Sequence, residues 1–339
     1  DPAAAPPDRL TEIVPRSGHL LHMPSHIYVR VGRYADAATS NIEAIKVDRA
    51  YFAEAPPPGM YAVYYAHNLH FLAFASMMSG NYERAISTES AEAQRWFNQG
   101  FQLMYGFNHD EAVRSFEQAA AADPAAAMPW WAIAYCQGIN INDPEMTEER
   151  SRVAWDAVEH ARARLDGASP VESALVNAVA ARYAWPPPED RSGLDQAYAD
   201  AMQAVYEEFP ADPDVATLFA EALMNLQPWD YWTDDGEPKG RIDEIVGIVQ
   251  SVLAEHPQHP GANHFFIHAV EASAEPDLAV EAADRLTHIV PGSGHLVHMP
   301  SHIYVRVGRY ADAARSNMNA IEVDRAYLAQ APPPGLYAA

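Results

Sequence analysis

The feature that most constrains the fold of this chain is that it repeats itself. Residues 277–339 restate residues 1–63 at an offset of 276, and 16 of the 63 aligned positions differ. The segment GHLLHMPSHIYVRVG at 18–32 returns as GHLVHMPSHIYVRVG at 294–308. The scattered substitutions are typical of two diverged copies, not of a cloning duplication. The sequence therefore resembles a window from a longer tandem array, with the end of one module followed by most of the next.

A shorter period of about 34 residues runs inside these modules. The pattern Gly-x-Tyr-x-x-Ala begins at Gly32, Gly80 and Gly308. Small residues let two antiparallel helices approach closely, an aromatic ring fills the gap beside them, and a proline ends the second helix. A variant of the same unit places its residues at positions 4, 8, 20, 24, 27 and 32, namely Trp96, Gly100, Ala112, Phe116, Ala119 and Pro124.

This spacing resembles the tetratricopeptide repeat (TPR), and the HMPSHIYVRVGRY segments are similar to those of His-rich bacterial TPR proteins. The resemblance covers most of the chain and implies an all-α solenoid, a right-handed superhelix of antiparallel helix pairs with a concave groove. Apolar spacing and stop signals predict the helices. The predicted pairs are 18–31 with 34–53, 59–79 with 82–93, 95–106 with 109–122, 127–139 with 146–165, 170–184 with 194–209, 213–226 with 241–256, 261–273 with 276–290, and 294–307 with 310–329.

The repeat register also predicts a boundary between modules. From Ala85 at position 20 to Trp96 at position 4 of the next unit is 11 residues, where a regular 34-residue repeat needs about 18. The seam is therefore expected near 87–95. Residues 1–93 form the closing repeats of one module, and residues 94–339 form a module whose end, 277–339, repeats 1–63.

Composition and charge exclude several classes of function and partner. A formal charge of −24 repels phosphate backbones and anionic lipid, so neither nucleic acid nor a membrane surface is an expected partner. The longest apolar stretch, 59–78, is interrupted by His67, Asn68 and His70, which argues against a membrane span. Cys136 is the only cysteine, which excludes an intrachain disulfide and a thiolate cage. Low cysteine content and acidity slightly favour an exported protein over a cytoplasmic one.

Ten of the 15 histidines recur in register with the repeat. They fall at positions 2, 5 and 9 of the 34-residue unit, with a glutamate at position 12, and these positions share one face of the first helix. The resemblance implies that this face lines the concave groove. The candidate metal-ligating residues are His264, His268, Glu271, His295, His298 and His302, and in the first module His19, His22, His26, His67 and His70.

Two interpretations of this histidine stripe remain open. Neutral imidazoles with one carboxylate and no thiolate suit Zn²⁺, Cu²⁺, Ni²⁺ or Fe²⁺, and do not suit Ca²⁺ or Mg²⁺. Alternatively, the histidines form a groove wall that hydrogen-bonds to its own backbone or to a bound peptide.

Three functions follow from the sequence. The first is an interaction scaffold that binds a peptide or protein partner in its groove, with the acidic charge favouring basic partners. The second is a His-rich metalloprotein holding Zn, Cu or Fe. The third is a rod or filament built by self-association of tandem modules. An enzyme is the least favoured class, because no nucleotide-binding, nucleophile-elbow or HExxH motif is present and no catalytic residue can be named.

Overall fold

The computed structural model describes residues 17–30, 34–54, 64, 65, 67, 68 and 82–328. Within these ranges the chain is helical and forms no β-strand, apart from two isolated bridges, Asn140–Asp143 and Trp232–Pro238. The predicted all-α class is therefore confirmed. None of the helices in the same ranges combines the length and the apolar character that crossing a membrane requires.

Sixteen α-helices are described, and each is numbered here in chain order. They are α1 Gly18–His22, α2 Pro24–Arg30, α3 Tyr34–Glu54, α4 Ala91–Tyr105, α5 His109–Ala122, α6 Met128–Gln137, α7 Glu148–Arg162, α8 Pro170–Ala180, α9 Ser192–Glu208, α10 Pro213–Met224, α11 Ile242–Glu255, α12 Pro260–Val270, α13 Val280–Ile289, α14 Gly294–His298, α15 Pro300–Arg306 and α16 Tyr310–Leu328.

The helices stack as pairs. From α4 to α13 each helix packs against its neighbour in the chain. The first helices of successive pairs also contact each other, for example α4 with α6 and α10 with α12. Gly100 shows why the repeat needs a small residue, since a Cβ there would lie 2.6 Å from the ring of Phe116. Because one pair cannot bury its own apolar face, this stacking makes one continuous core, and the predicted solenoid is confirmed.

The solenoid also brings distant repeats together. Helix α12 packs against α4, although more than 150 residues separate them in the chain. Gly261 makes this approach possible, because a Cβ there would lie 2.3 Å from Cδ1 of the buried Tyr105. The contact sets the start of α12 beside the turn that follows α4.

Two predicted helices are wrong in one respect. The predicted helices 18–31 and 294–307 are each divided, at Met23 and at Met299, in front of a proline. Pro300 has no N–H to donate to the carbonyl of residue 296, so the regular ladder stops and a second helix begins.

The prediction of a helix over 82–93 is also wrong. Residues 82–90, called the strap below, are non-helical, and α4 begins at Ala91 with Ser90 as its N-cap. The strap is held by side chains at helix ends, and these bonds replace those of a helix. Its contacts are Arg84 with Asp212 and Asp214 at 3.0 and 2.7 Å, the Ser87 N–H with Glu172 at 2.7 Å, and the Thr88 hydroxyl with Asp123 at 2.5 Å.

The predicted helix 59–79 falls mostly outside the described residues. The proposed boundary between residues 93 and 94 stays a prediction, as does the handedness of the superhelix.

Candidate metal centre

Five histidines from three helices and one glutamate meet where α12 packs beside the second copy of the repeated segment. His264 and His268 lie one turn apart on α12, so they share a face, and Glu271 directly follows the last residue of that helix. The other three histidines come from the repeated segment. His295 and His298 are on α14, and His302 is on α15.

Hydrogen bonds fix the tautomer of both α12 histidines. The Nδ1–H of His264 donates to the backbone carbonyl of Tyr105 at 2.7 Å. The Nδ1–H of His268 donates to Oε1 of Glu271 at 2.8 Å. A carbonyl and an ionised carboxylate can only accept, so each neutral ring carries its proton on Nδ1 and its lone pair on Nε2.

The same arrangement recurs in the pair from the repeated segment. The Nδ1–H of His298 donates to Oδ1 of Asn317 at 2.5 Å, and the amide of Asn317 is oriented by its own bond to the carbonyl of Ala313. The Nδ1–H of His302 donates to Oε2 of Glu271 at 2.5 Å. Glu271 therefore orients one histidine on α12 and one on α15, as outer carboxylates do for metal-bound imidazoles.

These bonds leave the Nε2 lone pairs of His264, His268, His298 and His302 close to other imidazole nitrogens. Nε2 of His264 lies 3.0 Å from Nε2 of His295, and Nε2 of His298 lies 2.9 Å from Nε2 of His302. One ring nitrogen from each of His264, His268 and His295 lies within 4.8 Å of the other two. Nε2 of His268 is buried and has no hydrogen-bond partner among the described residues. These lone pairs are placed to bind a cation.

Burial favours the neutral form of three of these imidazoles. It lowers the pKa of His264 and His295 well below the ordinary value, and the neighbouring imidazoles add to that effect. Burial also lowers the pKa of His268. It would raise the pKa of Glu271, but hydrogen bonds from His268 and His302 prevail and lower it to about 2. Neutral rings beside an ionised carboxylate are the protonation states that metal binding needs.

Two aromatic residues in the left-handed backbone region enclose the centre. Phe107 and Trp229 are the non-glycine residues with positive φ in the described part of the chain, at 55° and 63°. The Phe107 ring stacks on His295 at 5.6 Å, and the Trp229 ring meets His268 edge-on at 5.1 Å. Such backbone conformations cost about 1–3 kcal/mol and cluster at functional sites. Both residues here contact the histidine centre.

A second, smaller cluster includes histidines of the first copy of the repeated segment. His22 donates from Nδ1 to Oδ1 of Asn41 at 2.7 Å, and its Nε2 lies 2.9 Å from Nε2 of His26. Ring nitrogens of His22, His26 and His67 lie within 4.8 Å of one another. Burial lowers the pKa of His22 to about 4.

A cavity of about 590 Å³ opens beside the larger centre. His295 and His298 form one wall, so the centre borders this space. Carboxylates also line the cavity, and one of them, Asp143, is paired with Arg150 of the same lining at 2.7 Å. The carboxylates that line the cavity are Asp110, Asp143, Glu145 and Asp324. The buried Cys136 also lines it, and burial raises the pKa of its thiol, so it is no reactive nucleophile.

The structure thus gathers His264, His268, Glu271, His295, His298 and His302 in one place, and His22, His26 and His67 in another. His19 packs on Tyr64, with ring centroids 4.3 Å apart, beside the smaller cluster. His70 lies outside the described residues.

The sequence analysis missed several residues that shape these centres. Phe107 and Trp229 carry no repeat signal, and Tyr105 acts through its backbone. Asn41 and Asn317 had a readable signal, because they are identical between the copies while positions on either side change, Thr39 to Arg315 and Ile42 to Met318.

Fold and site together define a helical solenoid with buried histidine clusters. No known protein family matches the sequence, and no curated protein matches it. Among solved structures, a chain in the crystal structure of the APC/C hetero-tetramer Cut9-Hcn1 is similar over 94% of this chain, at 13% identity and a TM-score of 0.32. This chain spans 62% of that chain's length. At that TM-score the likeness carries no argument, and the fold is defined by the helices described above.

Proposed function

We propose that this chain binds a transition-metal ion between His264, His268 and His295. The proposal depends on the buried Nε2 of His268, which has no hydrogen-bond partner among the described residues. Nδ1 of the same ring is bonded to Glu271, and ring nitrogens of His264 and His295 lie within 4.8 Å. A buried polar atom left unpaired costs about 1–3 kcal/mol, and a bound cation removes that cost.

The donor set limits the metal. Neutral imidazole nitrogens, with no thiolate in reach, suit Zn²⁺, Cu²⁺ or Fe²⁺. The smaller cluster of His22, His26 and His67 offers the same chemistry and is proposed as a second binding place on the chain.

Elemental analysis tests this directly. The protein is purified without chelator or nickel resin, and the wild type is compared with His268→Ala and with His288→Ala, an exposed histidine outside both clusters. We expect bound metal in the wild type and in His288→Ala, and a reduced content in His268→Ala. The absorption bands of added Co²⁺ give a second readout, and circular dichroism confirms that each variant is folded. A wild type that neither contains metal nor takes it up overturns the proposal.

A second candidate function is the scaffold, in which the solenoid binds an extended basic segment. The strap supports this function, because its Arg84 is buried and forms ion pairs with Asp212 and Asp214. An arginine in a non-helical segment can therefore bind to carboxylates at the ends of these helices. The carboxylates among the residues that line the cavity offer similar chemistry. A fluorescent Arg-rich peptide should bind in low salt and lose affinity as salt rises, while a Glu-rich peptide of equal length should not bind. Equal binding of both peptides, or of neither, contradicts this function.

A further inference from the structure

We infer that the larger centre is dinuclear, with a second transition-metal ion bound between His298 and His302 next to the first. This inference rests on the proposed function, since it adds an ion to the same centre.

Hydrogen bonds fix the proton positions of His298 and His302. Asn317 and Glu271 each accept from an Nδ1–H, so neutral His298 and His302 both carry lone pairs on Nε2. Those two Nε2 atoms nevertheless lie 2.9 Å apart. Two lone pairs at that distance repel, and no choice of neutral tautomers turns the contact into a hydrogen bond while both Nδ1 bonds are kept. A shared cation between the rings resolves the conflict.

The pair from His264 and His295 differs in this respect. No described hydrogen bond engages Nδ1 of His295, so that ring can carry its proton on Nε2 and donate to His264. Of the two contacts, only the one between His298 and His302 therefore needs a cation between the rings.

The first copy of the repeat shows how this pair is completed. His22 and His26 are the counterparts of His298 and His302, Asn41 is the counterpart of Asn317, and the Nε2 atoms are again 2.9 Å apart. There a third imidazole, His67, lies 4.7 Å from His22 and 5.5 Å from His26 between ring centroids. We call the two imidazoles with facing Nε2 atoms and their asparagine the histidine clasp, His22, His26 and Asn41 in the first copy and His298, His302 and Asn317 in the second. In the first copy the clasp is part of a group of three imidazoles.

Glu271 joins the two histidine sets of the larger centre. Its Oε1 accepts from His268 of the first set, and its Oε2 accepts from His302 of the second. The ring centroids of His268 and His302 are 5.9 Å apart, and those of His295 and His298 are 6.2 Å apart. The two sets are therefore neighbours and not separate sites.

The second ion has two protein imidazoles among the described residues, and its remaining positions are left to water or to a small ligand. His298 lines the 590 Å³ cavity, so such a ligand enters from there. With fewer protein donors, the second ion binds more weakly than the first.

Copper titration of a simplified protein tests the inference. His22→Ala and His26→Ala together remove the smaller cluster, and the resulting chain is loaded with Cu²⁺ and followed by elemental analysis and electron paramagnetic resonance. We expect two copper ions per chain, with a spectrum broadened by dipolar coupling between them. Adding His302→Ala should leave one ion and an uncoupled spectrum, whereas adding His288→Ala should change nothing.

The outcomes separate the two proposals. One uncoupled ion that survives His302→Ala overturns the dinuclear centre and leaves the proposed function standing, with a shared proton as the occupant of the pair. No copper at all overturns both. If His302→Ala fails to fold, His298→Gln tests the same pair, and two coupled ions in that variant also contradict the inference.

Discussion

The two copies of the repeated segment build the same histidine clasp and surround it differently. In each copy a histidine donates to an asparagine 19 residues later, at 2.7 Å in the first and 2.5 Å in the second, and its Nε2 meets the next histidine at 2.9 Å. His67 completes the first clasp, whereas α12 lies beside the second with His264, His268 and Glu271. The clasp is local to the segment, and its neighbours decide what kind of centre it joins.

Both copies also place an aspartate against the first glycine of the segment, and again only the surroundings of that aspartate differ. The carboxylates of Asp48 and Asp324 occupy the space where a Cβ on Gly18 or Gly294 would sit, at 1.9 and 1.7 Å from it, so both copies need glycine at the start of the helix. An anion is favoured at a helix N-terminus. In the first copy Asn68 donates to Asp48 at 2.9 Å, while in the second Asp324 lines the cavity.

The largest expected effect is a loss of stability at acidic pH, and it arises at His109, which lines the cavity beside the second copy. Burial, together with the charges of Arg150 and Arg182, lowers the pKa of His109 from 6.5 to about 3. The unfolded chain therefore binds a proton between pH 6.5 and 3 that the folded chain does not, and stability falls as pH falls through that window. This residue alone should cost about 2 kcal/mol of unfolding free energy between pH 6.5 and 4.5.

Urea unfolding at the two pH values measures this effect. In His109→Gln the dependence on pH should be smaller by that amount. An unchanged dependence would show that His109 takes up its proton in the folded state.

Replacing the asparagine of each clasp compares the copies directly. Asn41 is fully buried and Asn317 is half-buried. Asn41→Ala removes the nearer acceptor of a buried imidazole N–H, with the Ser25 hydroxyl at 3.3 Å as the other partner, and should cost about 1–3 kcal/mol, with Asn317→Ala at the low end of that range. Thermal or urea unfolding gives both values, and a larger cost at Asn317 would refute the ranking.

Glu271→Gln should affect only the second copy's centre. Loss of such an outer carboxylate weakens metal binding about 10- to 100-fold. The affinity is measured after His22→Ala and His26→Ala have removed the smaller cluster, and separately after His264→Ala, His268→Ala and His302→Ala have disabled the larger one. Equal losses in both backgrounds would mean that Glu271 acts through overall stability.

The smallest effect is expected at the ion pair between the copies. Arg49 Nη2 lies 2.6 Å from Glu322 Oε2, and both side chains are about half exposed, at 52% and 47%. Exposed pairs contribute about 0–1 kcal/mol and are screened by salt. Arg49→Ala should therefore leave the unfolding free energy nearly unchanged. A cost well above 1 kcal/mol would reveal a larger contact between the copies.

Much of this molecule was predictable, for a physical reason. Helix pairs are short-range structures, so the spacing of Gly100, Phe116 and Pro124 predicted α4 and α5, and the histidine register predicted which rings share a face. The strap was not predictable, because its residues can form a helix and are drawn away from it by Asp123, Glu172 and Asp214, which come from repeats far along the chain.

By itself, then, the sequence determined the helical repeat, the stripe of histidines and the two matching clasps, because each depends on residues within one or two turns or within one repeat. Only the tertiary structure decided that α12 returns to α4, so that the carbonyl of Tyr105 orients His264 and the ring of Phe107 stacks on His295. It also decided that one glutamate serves two histidines. Such contacts depend on the summed geometry of many stacked repeats, and no local spacing encodes that sum.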